Sequence, residues 1–70
     1  MRYAIVIEQA GGNCSAYVPD LPGYVATGAS KAEVERLIRD AIALHLTGLR
    51  EDGVAIPLQS SQVEYVDVAA

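Results

Sequence analysis

A second cysteine is missing from this chain of 70 residues, so the lone Cys14 closes no internal disulfide. Cys14 and His45 are each the only residue of their kind, which leaves no Cys/His cluster to serve as a zinc staple. Long apolar runs are also absent: 51% of the residues are hydrophobic, yet no run reaches the roughly 18 residues of a membrane span. Glu8 and Gln9 interrupt the only early apolar stretch, so no signal-peptide pattern opens the chain. A soluble, cytoplasmic protein is the expectation. Positive charge is scarce as well, with five Lys and Arg against nine Asp and Glu and a formal net charge of −4. Nucleic-acid binding draws most of its affinity from basic side chains on phosphates. The balance therefore argues against direct DNA or RNA binding and favours a basic partner.

What is present fits one small domain over residues 1–70. A chain of this size buries only about 60% of its unfolded surface, and without disulfide or metal, oligomerisation is the remaining way to hide more apolar area. Tyr3 to Glu8 is rich in β-branched and aromatic residues and is closed by Gly11-Gly12-Asn13, which predicts a strand ending in a hairpin turn. Cys14 to Val18 is a second strand stopped by Pro19, and Tyr24 to Thr27 is a third. Ser30-Lys31-Ala32-Glu33 has the form of a capping box and starts a helix. That helix ends near Asp52, since Gly53 suits the left-handed position after a helix and Pro57 opposes continuation. Gln62 to Val68 reads as a fourth strand, reached through Ala55–Leu58 and the polar Gln59-Ser60-Ser61.

Helical periodicity gathers Val34, Leu37, Ile38, Ala41, Ile42, Leu44, His45 and Leu49 on one face and most charges on the other. The expected class is thus α+β: a three-stranded antiparallel sheet, one amphipathic helix packed on it, and a fourth strand. By the period-two rule, Tyr3, Ile5 and Ile7 of the first strand and Cys14, Ala16 and Val18 of the second should meet the helix. One helix covers one face, so Val6, Tyr17 and Val66 on the opposite side are the expected oligomer face.

Catalysis needs a nucleophile, an acid/base pair or a metal set, and few residues here offer one. Cys14 alternates with Ala16 and Val18 and reads as a small core hydrophobe. A Cys14/His45 thiolate pair lacks an identifiable oxyanion donor. Glu8, Glu64 and Asp67 would form a metal cluster only if one strand end brought them together. Gly11-Gly12 lacks the following Gly-Lys-Ser/Thr of a phosphate loop and is a turn. His45 falls within the apolar stripe, where a neutral imidazole satisfied by a backbone carbonyl or a tyrosine hydroxyl is expected; a protonation switch is the competing reading. No enzymatic activity, cofactor or metal is expected.

Strand one with Tyr3-Ala-Ile-Val-Ile-Glu8, strand two with Ala16-Tyr-Val18, the Pro19-Asp-Leu-Pro-Gly23 turn, the Ser30-capped helix, and Ala41-Ile-Ala-Leu-His-Leu46 followed by Gly48–Gly53 together resemble the HicB-like antitoxin family. The resemblance covers nearly the whole chain. It implies a β-β-β-α-β fold like a truncated ribonuclease H core without that enzyme's carboxylates. It also implies a role in binding and silencing a small HicA-like toxin that cleaves RNA. Family members that repress their own operon carry a DNA-binding segment after the fourth strand; this sequence stops at Ala70, so DNA binding is not expected. Tyr24 departs from the cysteine or small residue usual at its position. The turn residues Pro19, Asp20, Leu21, Pro22, Gly23 and Tyr24 are the candidate partner-binding surface, weighed against a purely structural turn with Leu21 tucked under the helix. The alternative function is a homo-oligomeric module, dimer or tetramer, that binds an unrelated protein or small ligand.

Overall fold

The computed structural model describes residues 1–69, which run β1 (Val6–Ala10), β2 (Asn13–Tyr17), β3 (Val25–Gly28) and α1 (Lys31–Glu51). The strands form one antiparallel sheet in the order β1-β2-β3. Ala10 pairs with Asn13 across Gly11 and Gly12, whose φ values are 58° and 83°. A two-residue hairpin turn of type I′ needs positive φ at both positions, and its twist matches the twist of the flanking strands. β1 starts at Val6 rather than Tyr3 because the ladder of β2 ends at Tyr17, opposite Val6. Val18 turns away into the loop, where its carbonyl accepts from the Leu21 N–H at 3.1 Å.

Both ends of α1 are held by the residues its sequence supplies. The Ser30 hydroxyl accepts from the Glu33 N–H at 3.1 Å, and Glu33 reaches back to accept from the Ala29 N–H, also at 3.1 Å. At the other end the Val54 N–H donates to Leu49 and the Gly53 N–H to Arg50, with Gly53 at φ 69°. This is the Schellman arrangement, which satisfies carbonyls the helix leaves open. Cys14, Ala16 and Val18 pack with Val34, Ile38 and Leu21 as the buried core, and Tyr3, Ile5, Ile7, Tyr24, Ala26 and Ile42 close over it.

Two expectations are corrected. Gln62–Val68 forms no strand: the described residues after Gly53 pair with none of the three strands, and Val66 is 79% exposed. A β-prone segment becomes a strand only when an edge accepts it in register, and here Gln62–Tyr65 lie across shallow hollows from Arg2–Ile7 without pairing. The helical face is also displaced toward its C-terminal end, with Leu44 75% exposed and Leu46 buried. At roughly 100° per residue, Leu44 stands about 120° round α1 from the buried Ile38, on the solvent side, whereas Leu46 stands about 80° away on the other side, at the margin of the core.

Candidate functional site

Two linked turns shape the loop between β2 and β3. In the first, Pro19 occupies the second position and the Leu21 N–H closes onto Val18; proline's fixed φ suits that place. In the second, Leu21 accepts from the Tyr24 N–H at 3.4 Å around Pro22-Gly23, with Gly23 at φ 87°. Proline followed by a positive-φ glycine is the type II pattern. The result presents Pro19, Pro22 and Gly23 to solvent, while Leu21 is 1% exposed. Leu21, expected among the partner contacts, is thus a core residue: the turn needs an apolar anchor, and this side chain provides it.

Asp20 lies half-exposed and faces the C-terminal segment. Its Oδ2 accepts from the N–H groups of Ser60 and Ser61, each at 3.1 Å. Its Oδ1 accepts from their hydroxyls at 2.9 and 2.8 Å. These bonds favour the ionised form and hold the carboxyl below its ordinary value, the Ser61 hydroxyl contributing most and partial burial opposing. A second tie joins the Tyr3 hydroxyl to the Pro57 carbonyl. No feature of the sequence foretold the Asp20 clamp, because its partners lie 40 and 41 residues downstream.

Tyr24 is half-buried and its hydroxyl is hydrogen-bonded to Nδ1 of His45, the rings lying 4.3 Å apart at 46°. His45 is half-buried, with one polar atom partnered. Cys14 is buried at 3% exposure and accepts from the Gln9 side-chain amide at 3.6 Å. Among the described residues, no three His, Cys, Asp or Glu side chains group as metal ligands would.

The sheet's outer face brings Val6, Tyr17 and Val25 into one row across all three strands, through the Val6↔Tyr17 and Tyr17↔Val25 pairs. Tyr17 is 42% and Val25 66% exposed. Beside this row runs a polar one, Glu8, Ser15 and Thr27. Val66, grouped with Val6 and Tyr17 from its sequence, stands instead on the unpaired C-terminal segment. Val25 completes the row in its place, and the alternation that follows Tyr24 would have found it.

A small α+β domain with an open apolar row, an exposed proline turn and an unpaired terminal segment presents surfaces suited to binding. The chain belongs to the HicB-like antitoxin family of bacterial toxin–antitoxin systems, whose family model matches residues 3–69. It is also 30% identical over 67 residues to an uncharacterized 14.9 kDa protein in the rep-hol intergenic region of Haemophilus phage HP1 (strain HP1c1). That match takes in 96% of this chain and 50% of the phage protein, so the chain spans about half the length of this relative. No solved structure matches the chain. Among the described residues, no helix is long and apolar enough to cross a membrane.

Proposed function

We propose that this chain neutralises a small HicA-type RNA-cleaving toxin by covering it, in the cytoplasm, without chemistry of its own. Family membership gives the role of antitoxin, and the distribution of charge supports the mode of binding. Four of the five basic residues, Lys31, Arg36, Arg39 and Arg50, stand on α1; the fifth is Arg2. The sheet, the proline turn and the C-terminal segment carry Glu8, Asp20, Glu64 and Asp67 and no base. A protein that holds RNA must offer a basic surface. The acidic side of the sheet complements that surface, and the Val6–Tyr17–Val25 row supplies an apolar centre for the contact. Pro19, Pro22 and Gly23, exposed in the loop between β2 and β3, offer a second contact beside Tyr24, and blocking RNA access is sufficient for inhibition.

The test is co-purification of the tagged protein from its native cell extract, with the accompanying chains assayed for RNA cleavage before and after separation. A small basic protein that cleaves RNA only once stripped of this chain is the expected result. Recovery of the chain with copies of itself alone would overturn the reading and favour the homo-oligomeric module, for which the exposed apolar row is the supporting observation.

A further inference from the structure

We infer that the hollow between the N-terminal run and α1 is a binding site for a small apolar monocarboxylate, which rests its body on isoleucine side chains and sets its charged end between Arg2 and Arg39. The inference stands apart from the toxin reading and does not depend on it.

The hollow follows from the way the chain enters the sheet. Pairing in β1 begins at Val6, so residues 2–5 run on beside α1 outside the ladder. Tyr3 and Ile5 nevertheless turn inward and, like Ile42, pack against the core. Between this run and the helix a space of about 290 Å³ stays open. Its apolar lining is Ile5, Ile38 and Ile42, of which Ile38 is 1% exposed. Tyr3 stands at its wall, held there by the bond from its hydroxyl to the Pro57 carbonyl.

Charge selects the polar end of the ligand. The chain carries a net charge of −4, and Arg2 is its one basic residue outside α1. Arg2 lines the hollow together with Arg39 of α1, and Glu35 is the acid that lines it with them. Two guanidinium groups against one carboxylate leave the rim positive. A guanidinium offers a planar fork of N–H donors that matches a carboxylate. Arg39 already donates from one nitrogen to Glu35 at 3.0 Å. Their side chains are 75% and 45% exposed, and an ion pair so placed contributes little, so a ligand carboxylate can share or displace it at small cost.

Size and surface select the rest of the ligand. Sites for drug-sized molecules occupy about 300–1,000 Å³ and are mostly apolar with a few placed polar groups. This hollow lies at the lower end of that range, which suits a short-chain acid and leaves no room for a helix or strand of another protein. A phosphate dianion would bring more charge than the rim balances and no apolar body for the isoleucines.

Hexanoate is the probe, with hexylamine and hexanol as controls of equal length, and the isoleucine methyl signals of the intact protein are followed by NMR as each is added. Hexanoate should shift Ile5, Ile38 and Ile42 saturably, with a Kd on the order of 1 mM for so small a ligand. Ile7 and Ile56, which do not line the hollow, should move much less, and neither control should saturate. Arg2→Gln and Arg39→Gln, both at exposed positions, should each weaken hexanoate about tenfold. Glu35→Gln frees Arg39 and should tighten it about two- to fivefold, a gain that simple apolar adhesion would not give. No saturable shift of the three lining methyls, a control that binds as tightly as hexanoate, unchanged affinity in both arginine variants, or weaker binding by Glu35→Gln would each overturn the site.

Discussion

Asp20 and Ser61 are joined by two hydrogen bonds across 41 positions of sequence, the Ser61 N–H donating to Oδ2 at 3.1 Å and its hydroxyl to Oδ1 at 2.8 Å. With the matching pair from Ser60, they make one carboxylate the anchor of the C-terminal segment. Because this carboxyl is held below its ordinary value, it takes up protons less readily in the folded chain than in the unfolded one. Its contribution to docking is therefore complete above the ordinary carboxylate value, about pH 4. It is lost as pH falls from there through the lower folded value. The amide shifts of Ser60 and Ser61, followed by NMR from neutral to acid pH, should titrate together with a midpoint below that of an exposed aspartate. A midpoint at or above the ordinary value would contradict the clamp. Asp20→Asn should reproduce the acid spectrum at neutral pH while the amides of α1 stay in place.

Leu21→Ala should be a stability variant and not a binding variant. The side chain is 1% exposed and packs in the same cluster as Val34 and Ile38, so truncation is expected to cost about 2–5 kcal/mol. Folded domains hold roughly 0.1 kcal/mol per residue, which makes this a large share of the total for so short a chain. Urea denaturation should show the unfolding free energy falling by that amount, with the midpoint shifted down by it divided by the m-value. Loss of toxin affinity in this variant would therefore report unfolding, and Pro22→Ala, at an exposed position, is the cleaner probe of the turn's surface. A Leu21→Ala protein as stable as the original would remove Leu21 from the core.

Gly28 sets how closely α1 approaches β3. A Cβ built there would stand 3.1 Å from Cγ2 of Val34 and 3.1 Å from Cδ of Glu33. Glu33 is flexible, but moving it weakens its bond to the Ala29 N–H; Val34 is fully buried and has nowhere to go. Gly28→Ala is thus expected to lower stability by about 1–3 kcal/mol, in the range of overpacked cores. Thermal unfolding would show it, and an unchanged or raised midpoint would mean that the helix can shift on the sheet without loss.

Local signals were the legible part of this fold. Ser30 with Glu33, Gly11-Gly12, and Gly53 each act within a few residues, so their geometry follows from neighbours in the chain. Alternation along β2 likewise separated Cys14 and Ala16 from Ser15 and Tyr17 before any partner strand was known. What escaped depends on distant parts meeting. The Asp20 clamp needs Ser60 and Ser61 delivered from beyond the helix. The reversal of Leu44 and Leu46 depends on which part of a broad helical stripe the sheet and the β2–β3 loop cover. Gln62–Val68 has the composition of a strand, but pairing requires delivery to an edge in register, which composition cannot supply. At the candidate site, the exposed prolines were readable from the turn pattern, whereas the burial of Leu21 between them was one of two equal alternatives until the helix was in place.

The side of the molecule that meets a basic toxin can be tested by moving charge without changing the total. Glu8→Lys and Asp40→Lys raise the net charge equally, but Glu8 lies exposed in the outer polar row of the sheet and Asp40 exposed on α1. Electrostatic steering acts on the encounter and raises on-rates by about 10- to 1,000-fold in favourable cases. If the sheet face leads the approach, Glu8→Lys should slow association with the recovered toxin on the order of tenfold, with a much smaller change in the off-rate. Asp40→Lys should change either rate little. Stopped-flow association at low salt reads this difference, and the gap between the variants should shrink as salt shortens the screening length from about 10 Å at 0.1 M to about 3 Å at 1 M. Equal slowing by both substitutions would mean that net charge alone governs the encounter, and a larger effect at Asp40 would assign the approach to the helix.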